Sequence, residues 1–233
     1  MPLLNDIKNK VSAFFKEPYE VEETTIVPGT DYSKLTFGNK GLVAEFSFLF
    51  IDIRNSSELH DKYGYANAAK IYQSFHEICL RIIEAFNGKV RAFDGDRIMG
   101  VFAGDSKRTN ATKAAMKIRW AITNILNQNL KEGLNIGCGI DLGKTLITKV
   151  GKGRDINNND LIWIGKACNY ASHLTQCATN SIVIGKSIYD NLAADVKYKD
   201  PDTKRINMWT VKQITLKNKK VINVYESTYS WGL

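Results

Sequence analysis

No stretch of the 233-residue chain approaches the ~20 consecutive apolar residues that cross a bilayer, so no transmembrane helix is expected. The start, Met1-Pro2-Leu3-Leu4-Asn5-Asp6, lacks a basic segment followed by an apolar core, which excludes a secretory signal there. Cysteine is scarce. Cys79, Cys138, Cys168 and Cys177 are scattered over apolar segments without metal-ligand spacing, the pattern of buried reduced thiols. Histidine is scarcer still, and His76 on its helical segment has no second histidine at matching spacing, so it reads as a satisfied helix residue. The net charge is +8, yet no Lys/Arg block with interleaved aromatics is present. Nucleic acid is therefore not the expected partner. A solvated basic surface, and in part a polyanionic small substrate, account for the charge. These absences predict a cytoplasmic protein with no membrane partner.

What is present is ordinary for a globular chain: 44% hydrophobic and 24% charged residues, enough for one domain with elaborations. Leu3–Phe15 has helical apolar spacing. Residues 16–40 are polar with Pro18, Pro28, Gly29 and Gly38, a connecting arm with one strand expected at 23–27. The division expected is an arm over 1–40 and a single domain over 41–233. Within it, Phe46–Ile53 reads as a buried strand, followed by Ser56 and Ser57 as helix caps. A long amphipathic helix from Ala68 stops at Asn87-Gly88. Lys89–Phe102 reads as a hairpin turning at Asp94-Gly95, and Ser106–Gln128 as a second helix. Strands are expected at 134–141, 144–150 and 161–164, then a helix over 166–177. A strand from Ile182, a helix near 187–193 and a terminal hairpin ending at 221–225 complete the chain. The order strand, helix, strand pair, helix, strand is an α+β plan, the ferredoxin-like βαββαβ palm, with extra C-terminal strands.

If the first strand and the hairpin are neighbours, Asp52 and Asp96 converge at one sheet end. Paired carboxylates suit a hard cation such as Mg²⁺ or Mn²⁺, which usually arrives with substrate phosphates. Backbone N–H groups of the turn Arg54, Asn55, Ser56 and Ser57 are candidates to cradle phosphate.

Four segments in order resemble the class III nucleotidyl cyclases. They are Phe50-Ile51-Asp52-Ile53, Gly95-Asp96, Ile136–Lys144 with its spaced glycines, and Trp163–Leu174 with Asn169. The resemblance implies that the 3′-hydroxyl of a nucleoside triphosphate attacks its own α-phosphate and pyrophosphate leaves. It implies two divalent metal ions, Mn²⁺ or Mg²⁺, held by Asp52, Asp96 and the Ile53 carbonyl. Lys144 and Lys217 are implied phosphate contacts, and Asn169 orients the ribose. His173 stands where the family has its transition-state arginine. Family sites form between two domains, so one chain carrying both halves implies a homodimer with shared active sites.

The base pocket departs from the purine enzymes. Ala92 and Ile162 occupy the purine-selecting positions, and neither can read a purine edge. Phe50 is expected against the base, with Arg91 and Asp94 nearby. Phe-Asp-Gly-Asp-Arg-Ile-Met and Ile-Asp-Ile-Arg-Asn-Ser-Ser resemble the bacterial pyrimidine cyclases of anti-phage (Pycsar) systems. That subgroup implies cyclic UMP or cyclic CMP read by a separate cyclic-nucleotide-binding effector, and the polar groups here favour UTP. The rival readings are an adenylate or guanylate cyclase and a catalytically weak nucleotide sensor. The Gly-Gly-Asp/Glu-Glu-Phe-type turn of diguanylate cyclases is missing.

Overall fold

The computed structural model describes residues 2–151, 155–216 and 219–233. Helix α1 (Pro2–Lys16) and strand β1 (Glu20–Glu23) precede β2 (Lys40–Ile53). A 3₁₀ turn at Ser56–Glu58 leads to α2 (Leu59–Tyr63) and α3 (Tyr65–Ala85). Then follow β3 (Gly88–Asp94), β4 (Arg97–Phe102), α4 (Lys107–Ala121), β5 (Ile136–Val150), β6 (Asp160–Ile164) and α5 (Lys166–Cys177). The chain ends with β7 (Ile182–Gly185), α6 (Lys186–Asp190), α7 (Ala194–Lys197), β8 (Tyr198–Lys199), β9 (Ile206–Asn207), β10 (Thr210–Thr215) and β11 (Val221–Ser227).

The main sheet runs β10-β11-β7-β5-β2-β4-β3, with β1 added to β2 and β6 to β5. Its centre, β5-β2-β4-β3, is the strand order of a βαββαβ palm. Strand β2 lies between layers, which is why Phe48–Ile51 is apolar without a break. Leu49, Ile51 and Ile53 pack with α3 and α4 on one face. Phe46, Phe48 and Phe50 pack with Met99 and the α5 residues Ala167 and Ala171 on the other. Burying each such side chain contributes roughly 1.5–3 kcal/mol. Helix α5 rests directly on β5, because a Cβ at Gly139 would run into the Ala171 carbonyl and the Thr175 N–H.

Several sequence expectations are corrected. The arm's strand is Glu20–Glu23, not 23–27. All four residues are exposed, and the strand is fixed by parallel pairing to Lys40–Val43 rather than by an apolar pattern. Residues 136–150 form one strand, paired to β2 without interruption from Gly41 to Ile53. Gly143 marks the close approach of Ala167, not a turn. Helix α4 ends at Ala121 and gives way to a π turn at Ile122–Leu126. There the Asn124 and Asn129 amides donate to the Trp120 and Ile125 carbonyls, the side-chain competition that weakens a helix end. Neither Ser56 nor Ser57 caps a helix, since Asn55 enters the turn in the left-handed region at φ 56°. The helix expected near 187–193 is the shorter α6, and α7 follows as a separate turn.

The hairpin turns at Gly95-Asp96 rather than Asp94-Gly95, because Asp94 still pairs with Arg97. Gly95 takes φ 60°, as the first central position of a two-residue hairpin turn requires. That shift puts Asp96 in the turn itself, beside the end of β2.

Candidate active site

Asp52 is the penultimate residue of β2 and only 7% exposed. It lies on the α5 face, two residues beyond Phe50, and pairs in register with Arg97 of β4. The Asp96 carbonyl accepts the Ile53 N–H at 3.3 Å, which fastens the hairpin turn to the strand end. His76 of α3 supports the same turn, with Nε2–H donating to the Gly95 carbonyl at 2.8 Å and its ring edge-on to Phe93. Burial pushes the Asp52 carboxyl above its usual range, and a hydrogen bond shared with the adjacent Asp96 and that group's charge push it further. Arg97 opposes the rise.

Two guanidinium groups close on Asp52. Arg97 Nη2 donates to Asp52 Oδ2 at 3.3 Å, and its Nη1 donates to Ser172 Oγ of α5 at 3.4 Å. Arg54 Nη1 lies 3.5 Å from the same Oδ2, and its Nη2 donates to the Thr175 carbonyl of α5. The Arg54 N–H, expected to cradle phosphate, instead donates to the Asn135 carbonyl at 2.8 Å, and the side chain turns back onto the carboxylate and α5. Of the other turn residues, Asn55 and Ser57 are exposed, and the Ser56 carbonyl accepts the Tyr72 hydroxyl at 3.2 Å.

A side-by-side carboxylate pair suits a hard divalent cation through its oxygen donors. Among the described residues no cluster of three His, Cys, Asp or Glu exists. Further ligands would thus come from backbone carbonyl, water or phosphate oxygens.

Of the remaining sequence-predicted residues, Lys144 stands well away from Asp52 within one chain. Lys144 faces Glu45 in the register, seven β5 residues beyond Gly137, the partner of Asp52. At ~3.3 Å per residue that is about 23 Å away. Asn169 is exposed on α5, and His173 is half-buried with Nε2 4.0 Å from Cys177 Sγ. Lys217 lies outside the described residues.

Of the base-pocket residues, Phe50 is 9% exposed and packs in the core with Met99. Arg91 is not free to read a base. It donates to the Val90 and Val27 carbonyls at 2.8 and 3.1 Å, tying the arm to β3, and burial lowers its pKa. Ala92 and Asp94 are exposed on β3, and Ile162 is 45% exposed on β6. A cleft of about 700 Å³ between the arm, β3 and β6 takes in Arg91 and Ala92, with Asp31 and Asp160 on its wall.

Sequence reading missed Arg97, Ser172 and the part played by His76. For Arg97 the signal was available: it follows Asp96 directly, where a hairpin beside β2 must set it opposite Asp52.

Comparison with known proteins decides the family. A uridylate cyclase of Xanthomonas perforans is 33% identical over 97% of this chain and 99% of its own length. The chain belongs to that cyclase's family. A uridylate cyclase of Burkholderia cepacia is 31% identical, with 99% of each chain covered. The fold is that of the class III nucleotidyl cyclases. The guanylyl cyclase Cya2 superposes with a TM-score of 0.67 over 81% of this chain and 94% of its own, at 14% identity. No family model matches the chain. No described helix of this cyclase is long and apolar enough to cross a membrane.

Proposed function

We propose that this cyclase converts UTP into 3′,5′-cyclic UMP and pyrophosphate, as a homodimer whose sites each draw on both chains. The observation that carries the reading is full-length similarity to two uridylate cyclases, in a chain whose Asp52 and Asp96 meet at one strand end. The 3′-oxygen forms a bond to the α-phosphorus, the bond from that phosphorus to the pyrophosphate oxygen breaks, and the 3′-hydroxyl gives up its proton to solvent water. Asp52, Asp96 and the Ile53 carbonyl would hold two Mn²⁺ or Mg²⁺ ions, whose chemistry there would be to acidify that hydroxyl and to offset the charge of the leaving group. Asp52 and Asp96 position the reacting phosphate from one chain. Asn169 holds the ribose and His173 donates a hydrogen bond from the other, with Lys144 and Lys217 on the triphosphate. Residues 1–40 form an arm on a cyclase domain of 41–233. Ala92 and Ile162 leave no side chain to read a purine edge, and Asp94, exposed on β3, is the polar group left for a pyrimidine.

We extend the reading to anti-phage defence through a separate effector that binds the cyclic nucleotide. This part rests on the resemblance of residues 93–99 and 51–57 to the Pycsar cyclases. Phage plating on cells carrying the cyclase with its effector, compared with the Asp52→Ala variant, tests it.

The deciding experiment incubates purified protein with ATP, GTP, CTP or UTP and Mn²⁺ and identifies products by mass. Cyclic UMP from UTP, lost in Asp52→Ala and Asp96→Ala, is the expected result. Cyclic product from ATP or GTP in preference would refute the pyrimidine reading. No product from any nucleotide would favour the sensing role.

A further inference from the structure

The proposed reaction makes no use of Arg97, and the Arg54 N–H is taken by the Asn135 carbonyl at 2.8 Å rather than offered to phosphate. Both guanidinium groups converge on one oxygen, Asp52 Oδ2, at 3.3 and 3.5 Å. Both are about one-quarter exposed, and both are braced from behind by α5 through Ser172 and the Thr175 carbonyl. The local formal charge is then two carboxylates against two guanidinium groups. A bare divalent cation approaching Asp52 and Asp96 meets a balanced site. It gains the attraction of two anions and suffers the repulsion of two cations a few ångströms further off. A divalent cation already wrapped by a polyphosphate is a net anion. For that complex the same two guanidinium groups are attractive, and their forked N–H donors match phosphate oxygens.

We propose that Arg97, seconded by Arg54, is a positioning residue that makes the Asp52–Asp96 pair a receptor for the metal–triphosphate complex rather than for free metal. This rests on the metal role given above to Asp52 and Asp96. The guanidinium group holds the carboxylate against α5 before substrate arrives. It then shifts its charge onto the triphosphate as the metal takes the carboxylate. The register that sets Arg97 opposite Asp52 makes this a property of the hairpin itself.

The test measures two affinities on the full chain, one for free Mn²⁺ by electron paramagnetic resonance and one for Mn²⁺–tripolyphosphate by calorimetry. Tripolyphosphate has no base, so the outcome does not depend on UTP being the substrate. Arg97→Gln is expected to bind free Mn²⁺ about tenfold tighter and Mn²⁺–tripolyphosphate about tenfold weaker. Arg97→Lys, which keeps the charge, is expected to restore both. Opposed shifts cannot come from a generally loosened site, which would weaken both ligands. Weakened or unchanged free-Mn²⁺ binding in Arg97→Gln would overturn the inference while leaving the metal site standing. Mn²⁺ binding that survives Asp52→Asn would overturn the metal reading and this inference together. Should Arg97→Gln fail to fold, Arg54→Gln removes a charge from the same oxygen and is expected to give the same opposed shifts.

Discussion

Asp141 is a carboxylate held where it does not ionise easily, and replacing it should stabilise the protein in a pH-dependent way. It lies on β5 with 8% of its surface exposed, against Gly185 and the start of α6. Its carboxylate accepts the Ser187 hydroxyl at 3.3 Å and the Leu142 N–H, yet burial still pushes its pKa from 3.8 up to about 6. Desolvation outweighs the two hydrogen bonds. A raised pKa means that the folded protein holds this proton more tightly than the unfolded chain does. The stability so contributed is complete below the unfolded pKa and is lost as pH rises through about 6. A shift of about two units corresponds to about 3 kcal/mol at most. Asn fits the same space without ionising. Its carbonyl accepts from Leu142, and the Ser187 hydroxyl can turn to accept from its amide. Asp141→Asn should therefore exceed the parent by about 1–3 kcal/mol at pH 8, with the difference vanishing near pH 4. For a chain of this size that is roughly 3–10 °C in Tm. Melts followed by circular dichroism from pH 4.5 to 8 at constant ionic strength measure it. A difference independent of pH, or one that grows towards acid, would refute the argument.

If the sites are shared, Asp52→Ala and Asn169→Ala are each inactive alone, and a mixture regains about a quarter of the parental rate. Half of the random dimers then hold one intact site of two. Activity that stays at zero on mixing, with subunit exchange verified by labelled chains, would count against shared sites. Gly139→Ala should cost about 1–3 kcal/mol in urea unfolding, because its methyl group meets the α5 backbone rather than a movable side chain. His76→Ala should lower turnover by about tenfold or more through a loosened Asp96 turn, and His76→Gln, which can still donate to Gly95, should recover much of it.

The palm was legible because its signals are periodic or positional. Phe46–Ile53 is apolar on both faces, as a strand between two layers must be, and the α3 stripe from Ala68 repeats at helical spacing. What misled were residues with two uses. Gly143 resembles a turn former, but here it admits a helix. Asp94-Gly95 resembles a turn, but the pairing of Asp94 with Arg97 moves the reversal one residue on. The convergence of Asp52 and Asp96 at one strand end could be read from sequence because their strands announce themselves. The place of Arg97 opposite Asp52 follows from the same hairpin, but where a guanidinium ends cannot be read that way, since a long side chain on a strand end has many places to go. Arg91 illustrates this: it sits next to Ala92 in the chain, yet its guanidinium reaches back 64 residues to Val27.

The pairing of β2 with β5 also sets the timetable of folding. Leu49 waits for Ile140, about 90 residues downstream. At ~5–20 residues per second, the ribosome leaves the most apolar strand of the chain without its longest partner for about 5–20 s. During that interval β3 and β4, and then α4, emerge and can cover one edge and one face, while the face that receives α5 stays wet until residue 177 has left the exit tunnel. The nascent chain is thus most dependent on chaperones between its second strand and its fifth helix, and a ribosomal pause placed after Phe102 would serve it better than one placed before.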